Sequence, residues 1–204
     1  MPARSATAAE HAFLRAVQAG DIVAVRAGLT AGVDPNVRKV KPRGEALGVA
    51  VAAGHFEIAE LLLAHGARPD VEIWSREAID RAVVDVAQPA TLVCIEKGRD
   101  DLLRLLLDHG ADPNPTAYGG ENLLTASATM GRASAAAILL SKGADVHRPN
   151  ALGRSPLSCA ILARHFDVAR VFLDAGAKAT AAELEAAAFA GDAAFFRTLA
   201  AAGA

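Results

Sequence analysis

The chain has 204 residues, of which 52% are hydrophobic and 22% charged, so it can form a packed core and is not intrinsically disordered. Its formal net charge of −2 at pH 7 gives no overall field for binding nucleic acid or anionic lipid. Aromatic residues contribute only 4%, whereas alanine contributes 49 residues, which favours closely packed helices over a β-sandwich. No charge-free run is long enough to span a bilayer, and Glu10 and Arg15 argue against an N-terminal signal peptide. Its two cysteines provide neither a disulfide framework nor a zinc site, which fits a reducing compartment. Together with the helix-favouring composition, this predicts a helical, cytoplasmic protein.

Two landmarks recur along the chain at the same intervals. An exit glycine follows an apolar run at positions 32, 66, 110, 143, 176 and 203, at intervals of 34, 44, 33, 33 and 27 residues. Twelve residues before each exit glycine lies a second position, which we call the inter-helix landmark: Gly20, Gly54, Gly98, Gly131, Arg164 and Gly191. Because both landmarks keep the same intervals, the sequence predicts about six repeats of one structural unit.

The pattern within each repeat predicts a pair of helices. A small residue such as Ala50 or Cys94 lies four positions before the landmark, where it lets neighbouring backbones approach closely. Apolar residues at helical spacing follow the landmark, and the exit glycine suits the left-handed conformation that ends a helix. We expect residues 1–7 to be a flexible terminus and residues 8–204 to form one domain. Its repeats span approximately 8–32, 33–66, 67–110, 111–143, 144–176 and 177–204.

The third repeat is eleven residues longer than the 33-residue period, and the insertion lies near residues 71–88. Ser75 is suited to N-cap an extra helix that ends at Pro89. The apolar face of this helix would contain Ile79, Ala82, Val83 and Val86. Trp74, the only tryptophan, lies at its entrance. It could anchor the helix on the flank of the repeats or contact a partner.

These features resemble the ankyrin repeat. The motifs are Ser155-Pro156-Leu157 near the start of a first helix, Gly54-His55-Phe56-Glu57-Ile58 between helices, and Leu105-Leu106-Leu107-Asp108-His109-Gly110-Ala111-Asp112 at an exit. The resemblance covers roughly residues 8 to 204, and a 33-residue period with several landmarks is specific. Arg164 departs from the pattern because it replaces an inter-helix glycine. The resemblance implies an all-α ankyrin solenoid of about six stacked helix pairs with short hairpin loops, the third repeat expanded and the last truncated into a cap.

The resemblance also implies a concave face, made of hairpin tips and inner-helix ends, that binds a folded protein. The corresponding tip residues are Arg38, Lys39, Lys41 and Arg43, then Thr116, Tyr118 and Glu121, then Arg148, Asn150, Leu152 and Arg154. Inner-helix ends would contribute Gln18, Glu96, Lys97, Met130 and Leu162. The four cations of the first tip fit either a solvated turn or recognition of an acidic protein surface. Tyr118, the only tyrosine, is a candidate anchor because a solenoid does not need it for packing.

The C-terminal repeat carries few charges for a cap. Phe195 and Phe196 are adjacent, so on a helix they cannot both face the preceding repeat. An end cap should present a polar outer face. Either the cap is covered by alanine and needs no partner, or Phe195 and Phe196 form a self-association surface.

We expect no catalytic site, metal or cofactor. His55, His65, His109 and His165 fall at structural positions of the ankyrin pattern, and neither remaining histidine has an acidic or cysteine neighbour at ligand spacing. Phosphate-binding loops and nucleophile elbows are absent from the sequence. The acids of the insertion, Glu72, Asp80 and Asp85, do not converge.

The sequence therefore predicts a non-catalytic protein-binding module, monomeric or weakly dimeric, without nucleic-acid or membrane partners. Its alanine-rich, lysine-poor composition suggests a bacterium with a GC-rich genome. In that setting we expect an inhibitor of an enzyme, or an immunity protein directed at a toxin. The alternative is a self-associating scaffold that uses the C-terminal repeat.

Overall fold

The computed structural model describes residues 7–40, 43–79, 82–115, 120–190 and 193–201. Helices occur in consecutive pairs throughout these ranges, in agreement with the repeat pattern. They are α1 (Ala8–Ala19), α2 (Ile22–Thr30), α3 (Ala46–Ala53), α4 (Phe56–Ala64), α5 (Ala90–Lys97), α6 (Asp100–Asp108), α7 (Leu123–Thr129), α8 (Ala133–Ser141), α9 (Pro156–Leu162), α10 (Phe166–Asp174), α11 (Ala181–Ala190) and α12 (Ala193–Ala201). The strands are β1 (Arg38–Val40), β2 (Arg43–Glu45), β3 (Glu72–Ile79) and β4 (Ala82–Pro89).

The inter-helix landmark ends the first helix of a pair. Gly20 caps α1 with a φ of 78°, and its N–H donates to the carbonyls of Ala16 and Val17. This left-handed conformation favours glycine, yet Arg164 adopts it too, with a φ of 63°. The backbone therefore keeps the repeat geometry where the sequence departs from it.

Side chains cap the start of several first helices. Thr7, which the sequence assigned to the flexible terminus, accepts a hydrogen bond from the backbone of Glu10 and forms a capping box. Ser155 accepts from the N–H of Ser158, and Pro156 occupies the first turn, where its missing N–H costs nothing. Ser-Pro-Leu is therefore a helix start, as its position in the sequence predicts.

The residue contacts divide the chain into two compact modules. The N-terminal module contains residues 1–94 and 104–111, and the C-terminal module contains residues 95–103 and 112–204. In the N-terminal module α1 packs on α2 and α3, and α3 packs on α4. In the C-terminal module α9 packs on α7, α10 and α11, and α11 packs on α12. Leucine, isoleucine, phenylalanine and alanine fill both cores, with Leu47 and Leu62 in the first and Leu157 and Phe172 in the second.

The four strands form one antiparallel sheet in the order β1-β2-β3-β4 within the N-terminal module. β3 and β4 pair without interruption from Glu72 opposite Pro89 to Ile79 opposite Ala82. β2 meets β3 at a single pair, Gly44 with Ile73. The insertion therefore lengthens a hairpin and adds it to the sheet.

The helix predicted for the insertion is wrong. Its apolar residues at 79, 82, 83 and 86 satisfy a helical spacing, but a short apolar run does not separate helix from strand by period alone. The segment is rich in valine and isoleucine, which lose side-chain freedom in helices and pack well on a pleated sheet. Among the described residues the hairpin is the main departure from an all-α chain, and it leaves the helical repeat intact.

Asparagines join neighbouring turns in both modules. Asn36 donates from Nδ2 to the carbonyl of Gly66 at 3.2 Å and accepts at Oδ1 from the N–H of Arg68 at 2.9 Å. Asn114 makes the same pair of bonds, to Gly143 at 3.2 Å and from Asp145 at 2.9 Å. The Asp-Pro-Asn sequence thus links one repeat's turn to the next exit glycine.

Candidate functional site

The basic tip of the first hairpin is partly neutralised by a buried carboxylate. Glu45, at the end of β2, is buried, and its Oε1 accepts from Arg38 Nε at 2.7 Å and from Arg68 Nη2 at 2.6 Å. Both arginine side chains are largely exposed. Arg38 is therefore a structural ion-pair partner as well as a surface cation. Of the other predicted cations, Lys39 lies on β1 and Arg43 on β2, and Lys41 is outside the described residues.

Trp74 lies in a strand and not at the entrance of a helix. It is the third residue of β3, opposite Ala87 in the register and next to Ile73, where β2 joins the sheet. Its side chain is half-buried. Trp74 is thus placed near the base of the long hairpin.

Of the second predicted hairpin tip, only Glu121 lies within the residues that the structure describes. Thr116 and Tyr118 lie outside the described residues, so their predicted contact role stays a prediction. Glu121 is half-buried, and its Oε1 is buried without a hydrogen-bond partner among the described side chains. Burial first, and then the negative charge of Glu121, raises the pKa of Cys159 to about 11. The thiol therefore stays protonated at neutral pH and is no nucleophile.

The third tip has one organising residue and one exposed apolar residue. Asn150 Oδ1 accepts from the N–H groups of Leu152 at 3.0 Å and Arg154 at 3.1 Å, and so fixes the turn. Arg148 donates to the carbonyl of Asn114. Leu152, held at the turn, is 74% exposed, and Arg154 is exposed as well. Asn150 and Arg148 therefore shape the tip, and Leu152 and Arg154 are its accessible side chains.

Three large apolar side chains reach solvent at the same end of the first helices of the C-terminal module. They are Met130, which caps α7 and is 42% exposed, Leu162 at the end of α9, 53% exposed, and Phe189 near the end of α11, 94% exposed. We call these three residues the apolar row. Since α7 packs on α9 and α9 packs on α11, the row runs along three successive helix ends. Phe189 was not predicted as a site residue, although it lies two positions before its landmark, as Leu162 does.

The predicted self-association pair does not form a surface. Phe195 is 0% exposed, and its ring lies 4.8 Å from that of Phe166 between ring centroids. Phe196 is half-buried. Phe195 is therefore a core residue that fixes α12, and its assignment to a self-association surface is wrong. The exposed phenylalanine of this repeat is Phe189.

A family model described as "Ankyrin repeats (3 copies)" matches residues 13–117 and again residues 91–183. Together these matches cover most of the chain. The chain belongs to the ankyrin repeat family. No curated protein matches it in a sequence comparison. Ankyrin repeats are in general protein–protein interaction modules, and the family is typically non-catalytic.

Four histidines of this ankyrin chain have structural contacts. His65 and His109 bond through Nδ1 to the carbonyls four residues earlier, at 2.8 and 2.9 Å, where they close the last turn of α4 and α6. His55 lies against Gly20, and His165 lies against Gly131, so each histidine packs on the landmark glycine of the preceding repeat. In the described ranges no group of three histidine, cysteine or acidic side chains could hold a metal ion. No helix described here is long and apolar enough to cross a membrane.

Proposed function

We propose that this ankyrin protein binds a folded protein partner through the apolar row (Met130, Leu162 and Phe189) and the tip residue Leu152. All four residues lie in the C-terminal module, and all were predicted as site residues or inner-helix ends except Phe189. The observation that carries the proposal is the 94% exposure of Phe189. A phenylalanine so exposed contributes little to its own fold, whereas in an interface it buries a large apolar area.

The positions of the row support a surface rather than scattered exposure. One residue before Leu162, Ile161 is fully buried, so this helix turns one side chain into the core and the next into solvent. Single exposed apolar residues are ordinary on protein surfaces. A series of them at one end of packed helices is typical of an interaction site. The row therefore supports a binding face along α7, α9 and α11.

Nearby charges indicate the partner's chemistry. Arg154 at the third tip and Arg164 after α9 are both exposed. Arg164 is two residues from Leu162, and Arg154 is two residues from Leu152. Cations next to exposed apolar residues favour a partner whose apolar patch is bordered by acidic groups, because complementary charges steer the encounter and reject like-charged surfaces. We therefore propose that an acidic partner contacts the C-terminal module, and that Arg38, which is bound to Glu45, contributes less.

The proposal is tested by affinity capture with the full chain and two matched double variants. Leu162→Asp with Phe189→Asp places two carboxylates in the row. Val23→Asp with Ala24→Asp changes two other exposed side chains, in the N-terminal module. We expect a stoichiometric partner to be retained by the control and to bind the row variant at least about 30-fold more weakly. Equal recovery by both variants would remove the row from the binding site.

The captured partner also tests the finer role. We propose an inhibitor or immunity protein acting in the cytoplasm, a compartment consistent with the two buried free cysteines. If the partner is an enzyme or toxin, titration with the full chain should abolish its activity and the row variant should not. A second candidate, a self-associating scaffold, is supported by the same exposure of Phe189. In that case light scattering should give a mass above the 20.9 kDa monomer that Phe189→Asp restores to the monomer value.

A further inference from the structure

The two edges of the sheet differ in length and in composition. β1, at one end, has three residues, two of which are the cations Arg38 and Lys39. β4, at the other end, has eight residues in unbroken register with β3. Short edges and edge lysines are devices that prevent strand-to-strand association, as are bulges and prolines. β1 therefore has two of these devices.

β4 has almost none of these devices against strand association. Between Ala82 and Gln88 its sequence contains no proline and no lysine, its register contains no bulge, and Asp85 is its only charged residue. Three of its residues are valine, which favours strands. A long, regular, apolar edge strand presents unpaired backbone N–H and C=O groups that template the addition of another strand.

The base of the hairpin is anchored within the N-terminal module. The N–H of Ala90 donates to the carbonyl of Val71 at 2.9 Å, which closes the hairpin beneath β3 and β4. The backbone of β3 also lies close to α3, because a Cβ added at Gly48 would come within 3.2 Å of the Glu72 carbonyl oxygen. Val71 and Val86 are buried. An ordered edge loses less conformational entropy on association than a loose one.

We propose that β4 is a homodimer interface, in which it pairs antiparallel with β4 of a second copy about a two-fold axis through Val84. In this register Ala82 lies opposite Val86 of the second copy, and Val83 lies opposite its Asp85. No two charges face each other. The neighbouring symmetric register, centred on Asp85, would oppose two carboxylates, which is destabilising. The strand is thus complementary to itself in charge as well as in hydrogen bonding, and the two sheets join into one of eight strands.

Sedimentation of the full chain over a wide concentration range tests this proposal. We expect the mass to rise from the 20.9 kDa monomer towards twice that value as concentration increases. Val84→Lys should weaken the dimer by roughly tenfold or more, because two lysines then meet on the axis. The same lysine would lie opposite Glu77 within its own hairpin, so the variant gains an opposite-charge cross-strand pair and should fold. Val84→Thr is the matched neutral control and should dimerise as the wild type does.

Cross-linking tests the register. Under oxidising conditions Val84→Cys should form an intermolecular disulfide, because the two copies of residue 84 face each other, while Asp85→Cys should not. The two native cysteines are buried and do not compete. A monomer at every concentration, a Val84→Lys variant that dimerises normally, or a dimer that is lost in Phe189→Asp instead would each overturn the proposal. The first two results leave capture of a different protein by the apolar row untouched, whereas the third would assign self-association to Phe189.

Discussion

The position two residues before the inter-helix landmark differs between the two modules. In the N-terminal module it is occupied by Gln18 and Ala52. In the C-terminal module it is occupied in turn by Glu96, Thr129, Leu162 and Phe189, so only the last two repeats have a large apolar residue there. Gln18 is exposed, and so are Leu162 and Phe189. The fold therefore tolerates a polar, a small or a large apolar side chain at this position. What most repeats bury is the residue immediately before this position.

That preceding residue is buried in both modules, except in the last repeat, where Ala188 is exposed. Val17, Val51 and Ile161 are each at most 2% exposed. One position along a short helix thus serves packing, and the next position can carry an exposed side chain. A large exposed apolar residue at this next position is not explained by the stability of the chain, which is why we propose a binding role for the row in the C-terminal module.

The largest effect should separate Phe195 from Phe189, two of the three phenylalanines of the last repeat. Phe195→Ala removes a fully buried ring that packs on Phe166, and we expect it to destabilise its module by about 3–5 kcal/mol. Phe189→Ala removes an exposed ring and should change the stability by no more than about 0.5 kcal/mol. Urea denaturation followed by circular dichroism measures both. Equal losses would mean that Phe189 is a packing residue, and the proposed binding row would lose its main member.

A buried carboxylate gives the next largest effect. Glu183, 4% exposed, accepts from Ser155 Oγ at 2.9 Å, from Ser158 Oγ at 2.5 Å, and from both the hydroxyl and the N–H of Thr180. These bonds join the starts of α9 and α11. Burial raises the pKa of Glu183, but the hydroxyls of Ser158, Thr180 and Ser155 outweigh it and hold the pKa below the ordinary value. The charged form is therefore the one that the fold stabilises.

Glu183→Gln should accordingly destabilise the C-terminal module by about 2 kcal/mol at neutral pH. Because the folded-state pKa is lowered, the contribution of Glu183 is complete above its ordinary pKa of 4.5 and is lost as the pH falls through the folded-state value. Denaturation of wild type and variant between pH 7 and pH 3 should show their difference shrinking on acidification. A difference that is constant with pH would show that the charge of Glu183 contributes nothing.

The asparagine links should act equally in the two modules. Asn36 and Asn114 make the same two bonds at matching distances, so Asn36→Ala and Asn114→Ala should each cost about 1–2 kcal/mol. Hydrogen exchange at the amides of Arg68 and Asp145, which lose their acceptors, measures the local effect. If only one variant is destabilised, the shared motif has a different energetic role in each module.

Most of the helical fold is predictable from the sequence because it depends on short-range rules repeated several times. Glycine landmarks, a small residue in the first helix and Asp-Pro-Asn turns each specify local geometry, and the structure agrees with them. The insertion was mispredicted because its apolar spacing fits a helix, while its strand form depends on pairing that a local pattern does not contain. Phe195 was misassigned for a related reason, since its burial is determined by Phe166 of another helix. Phe189 could have been found by aligning the residues two before each landmark.

The smallest effect should be a gain in stability. Arg164 adopts a φ of 63°, a conformation that costs a residue with a Cβ about 1–2 kcal/mol. Arg164→Gly relieves this strain and increases the freedom of the unfolded chain, so the net stabilisation should be roughly 0.5–1 kcal/mol. Gly131→Ala provides the opposite change at the same repeat position, where φ is 68° and a Cβ would lie 2.8 Å from the His165 ring. It should be destabilising, and thermal denaturation compares the two. If Arg164→Gly lowers the stability instead, the arginine side chain must contribute more than its backbone conformation costs, and this departure from the repeat pattern would be a feature that the fold uses.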